Sequence, residues 1–190
     1  MKRFWGLSLF LCLFVTACTA PRTALLPGHS EGESPYPASF RAHHRVTLTA
    51  AGHQVDFTGY LLVQQSTWRA MAFNDFGVTL FDMMSSPEKG RRIIRTSGIP
   101  VSYLTCQAAD IIEILFLPPK EGEDFSEGRL RDSRGGPVYD VVYSDYAAFP
   151  GAKHKIPRHV VFQNRKTGLR LEADLLKFEA VKIPEKYFDE

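Results

Sequence analysis

The sequence predicts an α+β fold: a curved antiparallel β-sheet forming an incomplete barrel, covered by one main helix inserted after the fifth strand. Three observations lead there. From Phe40 the apolar residues recur every second position, as in half-buried strands. After Gly98 the period changes to that of a helix, and from Tyr139 it returns to two. Sequential hairpins with a single inserted helix can bury that helix only by curving around it.

The elements follow in order. Met1-Lys2-Arg3, an apolar run from Phe4 to Val15, and Val15-Thr16-Ala17-Cys18 have the layout of a secretory leader. The apolar run is too short for a bilayer span of about 20 residues. Val-Thr-Ala-Cys resembles a bacterial lipobox, which implies cleavage after Ala17 and acylation of Cys18. Residues 1–17 are thus expected as a lipoprotein signal peptide, and 18–38 as the acylated cysteine with its tether. The domain is expected over 39–190. Pro21, Pro27, Gly28, Gly32, Pro35 and Pro37 give the tether its composition. Thr19 is not the aspartate that resembles an inner-membrane retention signal. The expected address is therefore the outer membrane, with the domain facing the periplasm.

Val46, Leu48 and Ala50 alternate with threonines. Ala51-Gly52-His53 then turns the chain into a second strand, Val55 to Val63. Gly59 within it suggests bending or a close backbone approach. Trp68 to Phe73 and Val78 to Met84 are the third and fourth strands, and Gly90 to Thr96 the fifth. The third and fourth carry apolar residues on both faces, so each face needs a cover or a guest. Val101, Leu104, Ala108, Ile111, Ile112 and Leu115 form a helical stripe, with Pro100 in its first turn and Pro118-Pro119 as its stop. Glu121 to Gly136 reads as a polar loop. Tyr139 to Tyr143 restarts the strands, and Lys166-Thr167-Gly168 joins the last two, Arg158 to Arg165 and Leu169 to Val181. Tyr187 and Phe188 are available to dock.

Charge and cysteine content exclude several functions. The 23 basic residues fall to 21 without Lys2 and Arg3, equal to the 21 acidic ones. A neutral mature chain has no footprint for nucleic acid, so membrane contact is expected through acyl chains rather than a basic face. Cys12 leaves with the leader and Cys18 would be acylated, which leaves Cys106 alone, expected as a buried small hydrophobe. His43 and His44 are adjacent in a strand and so face opposite ways. His154 and His159 likewise lack ligand spacing, and no metal or other cofactor is expected.

No catalytic residue is expected either. There is no Gly-x-Ser-x-Gly elbow. Asp75-Phe76-Gly77 matches a kinase tripeptide without its companions, and it reads as a hairpin turn with Gly77 in a glycine conformation. Asp110 and Glu113 read as solvated helix surface. Arg91 and Arg95 are expected on one strand face with Arg92 on the other, either meeting a phosphate or carboxylate or protecting an edge strand by charge.

The constellation that remains is apolar: Trp68, Met71, Phe73, Phe76, Phe81, Met83 and Met84 on the strands, Ile111, Ile112, Leu115 and Phe116 on the helix. Flexible methionines and flat aromatics suit an acyl chain, and they suit a packed core equally. The expected cavity residues are Trp68, Met71, Phe73, Phe76, Phe81, Met83, Ile111, Ile112 and Leu115.

Several stretches together resemble the LolA/LolB-like lipoprotein-carrier superfamily. They are the lipobox, Val46 to Val63 with its Phe57-Thr58-Gly59 core, and Ala70-Met71-Ala72-Phe73 leading to Phe76-Gly77. The helix after the fifth strand, Leu171 to Phe178, and Ile183-Pro184 to Phe188 complete the set. The resemblance implies a non-enzymatic, outer-membrane-anchored lipoprotein whose half-barrel holds acyl chains, a lipid or a lipoprotein for transfer or localisation. The exposed leucine loop of the receptor type is not legible in this sequence. The alternative is an assembly lipoprotein without a cavity, whose sheet binds a periplasmic or outer-membrane protein.

Overall fold

The computed structural model describes residues 36–117, 129–131 and 137–189. The leader, Cys18, most of the expected tether and Pro118-Pro119 lie outside the described residues. Among the described residues one antiparallel sheet contains every strand: β1 Ser39–Ala50, β2 His53–Gln64, β3 Thr67–Phe73, β4 Thr79–Ser86, β5 Gly90–Thr96, β6 Arg129–Arg131, β7 Pro137–Ala147, β8 Ile156–Asn164 and β9 Arg170–Glu179. Their spatial order is β5-β4-β3-β2-β1-β9-β8-β7-β6. The sheet is curved and does not close, and β5 and β6 are its two edges. Among the described residues four strands follow the helix rather than three, because β6, within the stretch expected as a loop, pairs with β7.

Turn chemistry sets the register. Ala51 and Gly52 both have positive φ, 48° and 79°, as a two-residue hairpin between Ala50 and His53 demands. In the β3–β4 hairpin Asn74 Oδ1 accepts from the amides of Phe76 (3.0 Å) and Val78 (2.9 Å), and Gly77 takes φ 74°. Asn164 repeats the device before Gly168, accepting from Lys166 and Thr167.

The helix, α1, has three consecutive pieces: Val101–Tyr103, a π-helical Leu104–Ala108 and Ala109–Phe116. The wider π turn rotates everything after it. Ala109, Ile111, Ile114, Leu115 and Phe116 therefore become the buried set, and Ala108 is only partly covered. Leu117 is extended, at φ −98° and ψ 153°, the conformation that a following proline imposes. Cys106 is half-buried rather than buried, on that same π segment.

The core lies between α1 and one face of the sheet. Phe40, Val63, Trp68 and Met83 are fully buried there, as are Val160 and Phe162 on the far side. Tyr36 belongs to this core although it precedes β1. It is 5% exposed and packs on Phe40 at 5.3 Å and Phe116 at 5.5 Å. The chain after β9 crosses the outer face, where the Ile183 amide donates to Gln64 Oε1 (2.9 Å) and Arg69 donates to the Tyr187 carbonyl (2.9 Å). Ile183 is the buried residue of that crossing, while the Tyr187 ring stays exposed.

Candidate functional site

Register assigns each strand residue to the concave face, toward α1, or to the convex face. The pairs Val63↔Trp68, Leu61↔Ala70 and Gly59↔Ala72 place Trp68, Ala70 and Ala72 on the concave face, and Ala70↔Met83 and Ala72↔Phe81 extend it to β4. Met71 and Phe73 pair with Tyr60 and Thr58 and lie on the convex face. Tyr60 joins Phe73 edge to face at 5.7 Å and stacks on His43 at 4.2 Å. Phe76 is at the hairpin tip and is 91% exposed. Of the nine expected cavity residues, the structure thus brings together Trp68, Phe81, Met83, Ile111, Ile112 and Leu115. Met71, Phe73 and Phe76 stand apart from them.

The concave face is closed at one end and looser at the other. At the end where β1 begins, Phe40, Val63, Trp68 and Met83 are fully covered, and Leu115 and Phe116 lie over them. At the end bearing the β1–β2 and β3–β4 hairpins, Phe57, Phe81 and Ile93 are only partly buried and Val55 is 49% exposed. Ile99, Tyr103 and Ile112 are the partly buried counterparts from α1 and the segment before it. Exposed Val78 and Val101 adjoin the same end. Small residues occupy the middle of the concave face: Gly59 lies beside Ala72, and Ala42 and Ala70 flank Leu61. A Cβ on Gly59 would meet only Val46 Cγ2, at 3.6 Å, so no backbone demand explains that glycine.

One ionisable side chain interrupts this apolar face. His44 points inward from the central strand, 5% exposed and opposite Gly59, with its ring 5.0 Å from that of Phe116. Burial first, and His43 second, lower its pKa to about 4, against a smaller raising effect of Asp174. The phenols of Tyr36 and Tyr143 are pushed up chiefly by burial. Tyr143 donates to the Leu115 carbonyl at 3.1 Å, tying β7 to the end of α1.

The attachment of α1 on its other side, to β5, is ionic. Arg91 reaches Asp110 Oδ1 at 2.6 Å and Glu113 Oε1 at 3.0 Å, all three side chains being no more than 24% exposed. The expected solvated face of the helix is therefore a clamp to β5. An isolated Arg is ordinary, and nothing in the linear sequence pairs it with a helix twenty residues later. Arg91→Ala should lower the stability by about 2 kcal/mol, since two half-buried carboxylates lose a charged donor. Urea unfolding midpoints would show this, with Arg91→Lys recovering part of the loss.

Among the described residues no group of three metal-ligating side chains occurs, and no helix is long and apolar enough to cross a membrane. The chain matches no protein-family model. It also matches no curated protein sequence. Among solved structures it is similar to a LolA superfamily protein from Nitrosomonas europaea, with a TM-score of 0.48 and 11% identity over 82% of this chain and 92% of that one. It is similar as well to a domain assigned to outer membrane lipoprotein sorting from Vibrio parahaemolyticus, with a TM-score of 0.45 and 10% identity over 83% and 91%. A DUF1329 family protein from Desulfovibrio piger gives 0.47 and 11% over 80% and 90%.

Proposed function

We propose that this chain is a non-enzymatic, acyl-anchored lipoprotein of the outer membrane that holds the acyl part of a lipid or lipoprotein against its concave face. The observation that carries the reading is the uneven burial of that face. Apolar side chains of the sheet and of α1 are only partly buried at the hairpin end, whereas those at the other end are sealed. Incompletely covered apolar surface facing apolar surface is where a hydrophobic guest gains most, about 0.8 kcal/mol for each methylene buried.

The β3–β4 hairpin supports the same reading. Phe76 and Val78 protrude into solvent on a turn fixed by Asn74 and Gly77. This apolar tip would contact the hydrocarbon edge of a membrane during transfer. Acylated Cys18 would hold the domain through a tether of up to about 60 Å, entering beside Tyr36 at the sealed end.

Protein purified without its leader should take up a fluorescent fatty acid saturably. Phe57→Ser combined with Phe81→Ser should weaken that uptake roughly tenfold or more while the circular dichroism stays unchanged, because the two rings, 6.4 Å apart, would contact the guest. Absence of saturable uptake by the unaltered protein would remove the carrier reading.

A further inference from the structure

Edge strand β5 carries an arrangement that the carrier reading does not use. Ile94 is an extra residue in its ladder with β4: Met83 pairs with Ile93 and Asp82 with Arg95. That bulge reverses the expected alternation. Arg92, opposite Met84, and Arg95, opposite Asp82, share the convex face, and Arg91 alone turns inward to its carboxylates. Neither convex arginine has a carboxylate partner among the described residues. Asp82, the acid beside Arg95, is held at both oxygens by Arg69, at 2.9 and 2.8 Å. Arg92 spends one N–H on the Met84 thioether at 3.1 Å, and its Nε is buried without an acceptor. A guanidinium normally finds oxygen. Next to these two cations runs the outer ladder of β5, which among the described residues is satisfied by β4 on one side only.

We infer that β5 accepts an extended acidic segment of another envelope protein as a tenth strand, with carboxylates two positions apart meeting Arg92 and Arg95. Strand addition supplies main-chain hydrogen bonds, and alternate side chains supply selectivity. The charge pattern fits one sign of partner: Gly90–Thr96 contains three arginines and no acid. The same pattern prevents two copies of β5 from pairing edge to edge. A membrane phosphate is disfavoured as the occupant, because the two arginines lie part-way along the convex face and not at the Phe76 end. The inference is independent of the concave face and survives or fails apart from it.

The test uses synthetic seven-residue strand peptides in which valine alternates with two glutamates, a glutamine counterpart, and two versions of the glutamate peptide N-methylated at alternate residues, one at the odd positions and one at the even. The glutamate peptide should bind at least tenfold more tightly than the glutamine one and slow amide exchange in residues 90–96. Arg92→Gln with Arg95→Gln should erase the preference. Binding of both N-methylated versions as tight as that of the unmethylated glutamate peptide would show that the ladder is not used, and would overturn the inference. Slowed exchange confined to other strands would do the same, as would arginine-dependent capture by phosphatidylglycerol vesicles with no capture of peptide. The exchange and N-methyl measurements use the unaltered protein, so they decide the matter even if the double variant folds poorly.

Discussion

Lowering the pH from 7 to 4 should cost the fold about 3 kcal/mol through one side chain, His44. In the unfolded chain its imidazole binds a proton near pH 6.5, whereas in the folded protein it does so only near 4, since burial against Phe116 opposes the charge. Between those values the unfolded state holds the extra proton, so stability is complete above about pH 6.5 and declines as the pH falls toward 4. His44→Leu, close in volume and uncharged, should be nearly flat across that window. Urea midpoints of both proteins at pH 7, 5.5 and 4 isolate the effect. Asp56, held below its ordinary range by the Thr47 hydroxyl and Gln54, and Glu179, held down by Lys177 and Arg41, lose their contribution at lower pH and do so equally in both proteins. Parallel pH profiles for the two proteins would mean that His44 is not the titrating group. Because the His44 ring lies against the last residue of α1, the acid-weakened contact is the one between helix and sheet.

That contact also shows where sequence reasoning reaches its limit. Period and turn chemistry are local, and the strands at Phe40, Trp68, Gly90 and Tyr139, the helix after Gly98 and the turns at Gly77 and Gly168 were all legible from them. A three-residue strand such as β6 has no period to read. Facing was harder. Met71 and Phe73 look like cavity residues because they are large and apolar, yet alternation from Trp68 puts Met71 and Phe73 on the other side of the sheet. Counting from Trp68 gives that answer from sequence alone. The reversal of Arg95 does not, because the Ile94 bulge leaves no mark in the residue types. Likewise the π turn shifts the helix face by an amount set by packing, and the Arg91 clamp depends on bringing β5 under α1.

Trp68→Ala should lower stability by about 3–5 kcal/mol, the range for emptying a fully buried aromatic site. Trp68 is 0% exposed, beside Val63 and near Met83 at the sealed end, where neighbours can close the void only in part. Domains of this size are stable by about 5–15 kcal/mol, so the variant should remain folded with a urea midpoint far below that of the parent. Phe81, partly exposed at the other end of the same face, should cost clearly less when shortened. The two positions separate a packed wall from a guest-lined one. A bound ligand at a hundred times its dissociation constant adds about 2.7 kcal/mol of stability. Trp68→Ala, though destabilised, should keep that ligand-dependent gain, because the guest does not touch the sealed end. The Phe57 and Phe81 double variant should show the reverse, a smaller initial loss and little gain from fatty acid. If both variants keep the gain in full, the guest does not bind at the hairpin end of the concave face.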